Sequence, residues 1–372
     1  MHTAIFTFTQ SGFLLGINLA KALEQGKKHI YTYRRFISDS NLSLNDDCIL
    51  HFIEAVNDGR RLGKAVGDEF AVSDALIFIG ATGIAVRSIA AYVNDKFKDP
   101  AVLCIDETGR FVIPILSGHV GGANRLAYKI SELIGSTPVI TTATDIRNVW
   151  AADVFAKENL LEISDRKTAK KISATLLEGK SIGFLSDYKV RGTFPEHVLK
   201  DSIEKYNVYI TNSLDITKSP ALCKIGQDSL LYAANTYNFL KLIPKNICIG
   251  IGCRKGADFY DMLKNLKDVL KKHNIDIRSV SHIASIDVKK DEVCIKKLAG
   301  ALNTELCFFT ADELKSAHGS FNDSEFVKKT VGVGNVCERS CMLVYGDILF
   351  KKEIYQNMTF AASVEYSRVY NI

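Results

Sequence analysis

Short, unbroken apolar runs that end in glycine-bearing loops recur along this chain, and no other feature narrows its fold as much. Ala75–Ile79 (ALIFI) leads into Gly80-Ala81-Thr82-Gly83 and then a helical segment, IAVRSIAAYV. A run without polar alternation suits a strand whose sheet is covered on both faces, as in parallel α/β sheets. Ala101–Ile105 (AVLCI) is a second such run. Asp106-Glu107-Thr108-Gly109 then reads as a hairpin turn, with Gly109 where positive φ is favoured, and Phe111–Leu116 as the returning strand. Ser117 to Gly122 forms the next glycine loop, and a helix follows to about Ile134. Asn246–Ile251 (NICIGI) restarts the pattern, followed by Gly252 to Gly256 and a helix to about Lys272.

These runs predict a multi-domain α/β fold. N-terminal and C-terminal α/β units carry buried strands and glycine-rich strand-to-helix loops, with a smaller middle α/β domain between them. Ligands of such units gather at the carboxyl ends of the strands. Ala4–Thr9 reads as the first strand. In the helix after it, Leu14, Ile17 and Leu19 form no single stripe, so it is expected to be covered over much of its surface. Gly135-Ser136-Thr137-Pro138 breaks the pattern and VITTAT reads as a new strand, which sets a boundary at 135. Leu242-Ile243-Pro244-Lys245 reads as a second linker. The expected domains are therefore 1–135, 136–243 and 244–372. Helices are expected near 154–159 and 167–177, and strands at 181–186 and 306–310. A terminal hairpin is expected from 348–354 and 359–363.

At 372 residues, 47% hydrophobic and 24% charged, with six prolines, the chain has the balance of an ordinary globular protein. A net charge of +5 is too small and too dispersed for a nucleic-acid binder. The nine cysteines are odd in number and hold no Cys-x-x-Cys pair, which argues against a disulfide framework or a zinc ribbon and for reduced thiols. The opening MHTAIFTFTQSGFLLG lacks the basic lead of a signal peptide, and no apolar run nears the ~20 residues of a membrane helix. A cytoplasmic location is expected.

Three glycine loops, Gly80–Gly83, Ser117–Gly122 and Gly250–Gly256, offer backbone N–H groups and helix starts to an anion. Glycine also makes plain strand-to-helix turns, so each loop alone fits either role. GxxxxGK[ST] is absent and Gly250-Ile251-Gly252 lacks the third glycine of a dinucleotide fingerprint, which disfavours a nucleotide-dependent transferase. His119 is the leading acid–base candidate, because imidazole takes and returns a proton near neutral pH and flanking glycine leaves its ring reachable. A turn or capping role fits the same spacing. Ser117 could orient His119 or a substrate. Arg87, Arg254, Lys255 and Arg339 follow glycine-rich loops and suit carboxylates. Each also fits a solvated helix face or an ion pair with Asp258 or Glu338. Cys337 and Cys341 share a helix face, but burial accounts for them better than half a metal site, and no metal site is expected. His282, Ser285 and Asp287 in SHIASID cannot converge as a triad, because strand side chains alternate.

Five motifs in order resemble the cobalt-precorrin-5A hydrolase family of anaerobic cobalamin biosynthesis. They are IFIGATGIAVRSIA (from Ile77), DPAVLCIDETGRFVIPILSGHVGGAN (99–124), TPVITTATD (137–145), IGIGCRKG (249–256) and GVGNVCERS (332–340). The likeness runs from about residue 50 to 365. Arg125 stands where an acidic residue is frequent, and Cys341 where alanine is common. The resemblance implies an N-terminal domain carrying SGHVGGAN, a variable middle, and a C-terminal domain that also exists as a free-standing protein.

The reaction it implies is opening of the ring A δ-lactone, then loss of C20 with its methyl as acetaldehyde, giving cobalt-precorrin-5B. No cofactor is expected, since cobalt is part of the substrate. Expected partners are the cobalt-corrinoid, pathway methyltransferases in transient contact, and copies of the chain itself in a homo-oligomer, with no nucleic acid and no membrane. On residue chemistry, His119 is then the expected acid/base and Ser117 its helper. Gly118, Gly121, Gly122 and Asn124 would hold substrate from the same loop, Gly121 and Gly122 through backbone donors. Gly80, Thr82, Gly83, Arg87, Gly252, Arg254, Lys255 and Arg339 would bind its periphery, the arginines clamping acetate and propionate groups. The alternative is a non-catalytic carrier that protects the corrinoid and passes it to a methyltransferase.

Overall fold

The computed structural model describes residues 1–23, 26–37, 44–53, 60–95, 98–119, 121–147, 149–223 and 237–372. They form two compact units, Met1–Val149 and Trp150–Ile372. Among the described residues no helix is long and apolar enough to cross a membrane.

The first unit is built on β1 (Thr3–Thr7), β2 (Lys28–Thr32), β3 (Cys48–Phe52), β4 (Ala75–Ile79), β5 (Ala101–Ile105), β6 (Phe111–Leu116) and β7 (Thr137–Pro138). They lie in the order β3-β2-β1-β4-β5-β6-β7. The first five are parallel, with Ile5 opposite Ile77 and Ile77 opposite Leu103. Every residue of β1, β4 and β5 is buried, because successive side chains enter two different cores. Ile5, Ile77 and Leu103 pack on Phe13 and Ile17 of α1 (Gln10–Ala22), and on Ala127 and Ile130 of the helix Ala123–Ile134. Phe6, Phe78 and Val102 pack on Val66 and Phe70 of the helix Arg60–Phe70, and on Ala85 and Ile89 of the helix Thr82–Ile89. α1 buries one face only: Phe13, Ile17 and Ala20 lie inward, while Leu14 is 58% exposed. The broad coverage expected of this helix is therefore not found.

The hairpin at Asp106–Gly109 is present. Gly109 has φ 71°, and the Asp106 carboxylate accepts from the Phe111 N–H at 2.6 Å. β6 consequently runs antiparallel to β5, with Leu116 opposite Val102. The boundary expected at 135 falls inside this unit. Gly135 ends only the helix, at φ 69°. The Thr137 N–H then donates to Arg110 O at 2.9 Å, which seats β7 beside β6. VITTAT is not a strand; beyond Pro138 the chain is loop and then the short helix Ala143–Ile146.

The second unit holds two five-stranded sheets. The first contains β8 (Leu161–Ile163), β9 (Ile182–Ser186), β11 (Val198–Lys200), β12 (Tyr206–Ile210) and β13 (Asn238–Pro244), in the order β11-β9-β12-β13-β8. Leu242 and Ile243, expected in a linker, are fully buried in β13. The second sheet contains β14 (Ile247–Cys253), β15 (Val280–Ile286), β16 (Glu305–Phe309), β17 (Asp347–Tyr355) and β18 (Met358–Val364), in the order β16-β15-β14-β18-β17. β17 and β18 form the expected hairpin. Several ties join the sheets, among them the following. β10 (Lys189–Arg191) pairs with β19 (Val369–Asn371), and Lys241 Nζ on β13 meets Asp276 at 2.8 Å.

One face of the second sheet is covered by the helices Phe259–Lys272 and Val293–Leu302, through Met262, Leu266, Ile295 and Leu298. On the other lies the helix Val336–Tyr345, where Cys337 and Cys341 pack on Cys248, Ala284 and Ala361. Burial pushes the Cys337 thiol up to about 11 and that of Cys341 further still. This helix comes so close to β14 that a Cβ on Gly250 would stand 1.8 Å from Cys337 O.

Candidate functional site

Reversal of β6 decides where the SGHVGGAN loop lies. Ser117 leaves the end of β6 beside the start of β5, and its hydroxyl donates to Asp99 O at 3.0 Å. The Gly80 N–H instead donates to Ile105 O, at the far end of β5, at 2.8 Å. The two loops thus occupy opposite edges of one sheet, separated by a five-residue strand of roughly 16 Å. They do not share a cleft.

The SGHVGGAN loop is wound tightly. Ser117 has φ 56°, in the left-handed region, and Gly122 caps the following helix at φ 89°. A side chain on Gly121 would collide with Ser117, whose Cβ lies 2.1 Å from the place it would take. The loop also takes up three N–H groups at its own end. Gly122 N–H binds His119 O at 3.2 Å, Ala123 N–H binds Ser117 O at 3.1 Å, and Asn124 N–H binds Gly118 O at 2.8 Å. Gly122 therefore does not present its N–H as the substrate donor it was expected to be. Ser117 acts as a strut to Asp99 and makes no hydrogen bond to His119 that would orient the ring.

The chemistry converges instead on Asp145. Its Oδ2 lies 3.2 Å from His119 Nδ1 and accepts from Asn124 Nδ2 at 2.8 Å. Asn124, 4% exposed, also donates to Thr142 Oγ1 at 3.1 Å. Asn124 thus braces the carboxylate. A carboxylate at Nδ1 assigns the proton to that nitrogen and leaves Nε2 as the basic one. The side chains of His119 and Asp145 are 21% and 25% exposed, while the Nε2 atom of His119 is itself buried. Asp145 and Thr142 lie in TPVITTATD, but no spacing rule joins them to a histidine in another segment.

At the opposite edge, Gly80, Thr82 and Gly83 lie at the end of β4. The strand order reverses between β1 and β4, which is where open α/β sheets form a crevice. Gly80 has φ 153° against the Phe8 ring, and Thr82 Oγ1 donates to Cys104 Sγ at 3.5 Å. Arg87 is exposed and folds back over Gly83 in its own helix.

The second unit has its own cleft, of about 1180 Å³, at the carboxyl ends of β14 and β15. Gly252 to Ala257, Lys289, Glu292, Asn335 and Lys352 are among its walls. Gly252 belongs to β14 rather than to the loop, and a Cβ there would meet Thr359 Oγ1 at 2.5 Å. Arg254 and Lys255 stand exposed at its edge. Glu292 accepts from Gly256 N–H at 3.0 Å and from Lys289 Nζ at 3.1 Å. Burial pushes the Glu292 carboxyl up, but the Gly256 N–H and Lys289 outweigh it and hold it below its usual range. Burial pushes the Cys253 thiol up to about 12, so it is no ready nucleophile. Arg339 is not among the lining residues. It reaches Leu314 O at 3.3 Å and Asp323 at 3.4 Å, and stacks over Phe321 at 4.3 Å. Its expected carboxylate clamp is replaced by a structural one.

The chain is thus a multi-domain α/β protein with a carboxylate-backed histidine in one unit and a cation-edged cleft in the other. Family profiles described as cobalamin synthesis G N-terminal, cobalamin biosynthesis central region and cobalamin synthesis G C-terminus match residues 64–145, 150–224 and 247–363. A cobalt-precorrin-5A hydrolase of Salmonella typhimurium is 35% identical over 80% of this chain and 84% of its own. One from Priestia megaterium is 30% identical over 73% and 72%. The chain belongs to the cobalt-precorrin-5A hydrolase family. A solved cobalamin biosynthesis protein G homolog from Sulfolobus solfataricus aligns over 98% of this chain and 97% of its own, at 22% identity and a TM-score of 0.39.

Proposed function

We propose that this chain opens the ring A δ-lactone of cobalt-precorrin-5A and releases C20 with its methyl group as acetaldehyde, leaving cobalt-precorrin-5B. The observation that carries the reading is the His119 Nδ1 to Asp145 Oδ2 contact at 3.2 Å, within the stretch matched by the family's N-terminal profile. His119 Nε2 takes a proton from the attacking water as its oxygen adds to the lactone carbonyl. The acyl–oxygen bond breaks, and the imidazolium returns the proton to the departing C20 oxygen. Asp145 balances the positive charge that His119 carries between those transfers. The freed C20 hydroxyl is then deprotonated, its carbon–carbon bond to the ring breaks, and the electron pair passes into the conjugated cobalt macrocycle. Arg254 and Lys255 at the edge of the second unit's cleft, with Lys289 within it, recognise corrinoid carboxylates.

The test is acetaldehyde release from cobalt-precorrin-5A by the purified protein. His119→Ala should slow it by roughly 10²–10⁴-fold, the usual worth of a positioned acid–base group. Corrinoid binding without any acetaldehyde from the unaltered protein would instead make it a carrier.

A further inference from the structure

We propose that His2, His29 and Glu69 form a binding site for a first-row divalent metal ion of the Zn(II) and Co(II) class, with a fourth position left for water. The site lies outside the SGHVGGAN loop and does not rest on the hydrolase reading. One ligand atom from each residue falls within 4.8 Å of the others. His29 Nδ1 is 2.6 Å from Glu69 Oε1, and His2 Nε2 is 3.4 Å from Glu69 Oε2. Metal–ligand bonds of roughly 2.0–2.1 Å in a tetrahedron put neighbouring donors roughly 3.3 Å apart, so a small rotation of the His29 ring admits an ion. His2 Nε2 is buried and makes no hydrogen bond among the described residues, although a carboxylate oxygen stands beside it. A lone pair placed so is better used by a cation than by the present partners.

The surroundings fit a metal site rather than a chance ion pair. Glu69 is 4% exposed, and two hydroxyls donate to it: Tyr31 at 2.7 Å and Ser73 at 2.5 Å. Such second contacts orient a ligating carboxylate and are part of how proteins hold metals. Tyr31 is itself fixed by stacking on Phe6 and His51. The side chains of His2 and His29 keep 21% and 19% exposure, which leaves an entry path and room for a water ligand. Two imidazoles and one carboxylate favour zinc and its first-row neighbours over calcium or magnesium, which prefer all-oxygen shells. Three protein ligands with an open fourth position is the arrangement of reactive rather than sealed zinc sites.

The experiment uses the full chain, stripped with a chelator and titrated with Zn(II) alone against a chromophoric competitor, with Co(II) as a spectroscopic reporter. One ion per chain is expected, with the visible absorption of four-coordinate Co(II). His2→Ala and His29→Ala should each weaken binding by about 100-fold or more, and Tyr31→Phe by roughly 10-fold, since it removes only a bond to the carboxylate. His2 and Tyr31 are not in the core of a helix, so their variants carry the test even where Glu69→Gln fails to fold. Failure of the folded, unaltered chain to hold Zn(II) overturns the proposal. So does Zn(II) retained by a His2→Ala/His29→Ala double variant of unchanged circular dichroism, which would place the ion on the thiols.

Discussion

Asp145→Asn is the sharpest probe of the proposed acid–base pair, because it changes one atom's chemistry and almost no volume. Asp145 Oδ2 serves two donors, Asn124 Nδ2 at 2.8 Å and His119 Nδ1 at 3.2 Å. An asparagine whose oxygen takes that place accepts from both but carries no charge to balance an imidazolium. If the amide turns round, its NH₂ group faces both partners instead. His119 Nδ1 must then accept, which moves the imidazole proton to Nε2 and removes the base. In that orientation Asn124 also faces a like donor and the brace is lost. A hydrogen bond to a charged group contributes about 1.5–3 kcal/mol, and 1.36 kcal/mol is tenfold in rate. The pair is about a quarter exposed, so solvent takes up part of that. The expected loss is roughly 10- to 100-fold in single-turnover acetaldehyde release, smaller than for His119→Ala. The melting temperature should move by no more than about 2 °C. An Asp145→Asn variant that turns over at the unaltered rate, with His119→Ala slow, would show that the histidine acts without its carboxylate. A variant as slow as His119→Ala and substantially destabilised would show that Asp145 only holds the loop.

Three further outcomes follow from the geometry. Gly250→Ala should destabilise the second unit by about 3 kcal/mol or more in urea unfolding, because its methyl would stand 1.8 Å from Cys337 O and the helix cannot yield as a flexible side chain would. Asp276, 3% exposed and held between Arg278 and Lys241, should govern an acid transition. Burial pushes its carboxyl up, but those two cations hold it at about 2 against an ordinary 3.8, a gap worth roughly 2.5 kcal/mol at 1.36 kcal/mol per tenfold change. A depressed carboxyl contributes its stability above the unfolded value, so this contribution is complete at neutral pH and is lost as pH falls from about 4 towards 2. Asp276→Asn should be less stable at pH 7 and lack that transition, and an identical pH profile in the two proteins would refute the assignment. Arg339→Ala should cost about 1–2 kcal/mol of stability yet leave corrinoid affinity within about twofold, whereas Arg254→Ala/Lys255→Ala should weaken corrinoid binding roughly 10-fold by fluorescence quenching. The opposite ranking would return Arg339 to the ligand.

The strands were legible because burial on both faces leaves an unmistakable record. ALIFI and AVLCI carry no polar residue and NICIGI only its leading Asn246, and the apolar part of each lies in a buried strand. The hairpin at Asp106–Gly109 was legible for a local reason, since a turn needs a residue that tolerates φ near 71°. What the sequence hid was consequence rather than element. Once a hairpin reverses β6, the rule that ligands lie at the carboxyl ends of parallel strands sends Gly80 and Ser117 to different edges. The boundary at 135 misled because Gly135 closes a helix in the same way whether or not a domain ends there. Near 244 the boundary agrees with profiles matched at 150–224 and 247–363, but Leu242 and Ile243 belong to β13, because Pro244 marks the end of a strand as readily as a linker.

Glycine itself was the least reliable guide to the site, because the same residue does three unlike jobs here. Gly122 supplies a left-handed backbone, Gly121 makes room for Ser117, and Gly250 lets a helix close on a strand. The acid–base pair instead depends on residues that the chain unites only in three dimensions. His119 comes from the loop after β6, Asn124 from the first turn of the next helix, and Asp145 from the short helix beyond β7. What closes the set is the pairing of Thr137 with Phe111 and of Pro138 with Val112. A slip of one residue in that pairing would carry Asp145 roughly 3.3 Å along the strand direction and out of reach of His119. The two-residue strand that looked like a domain boundary is thus the element that sets the distance on which the proposed chemistry depends.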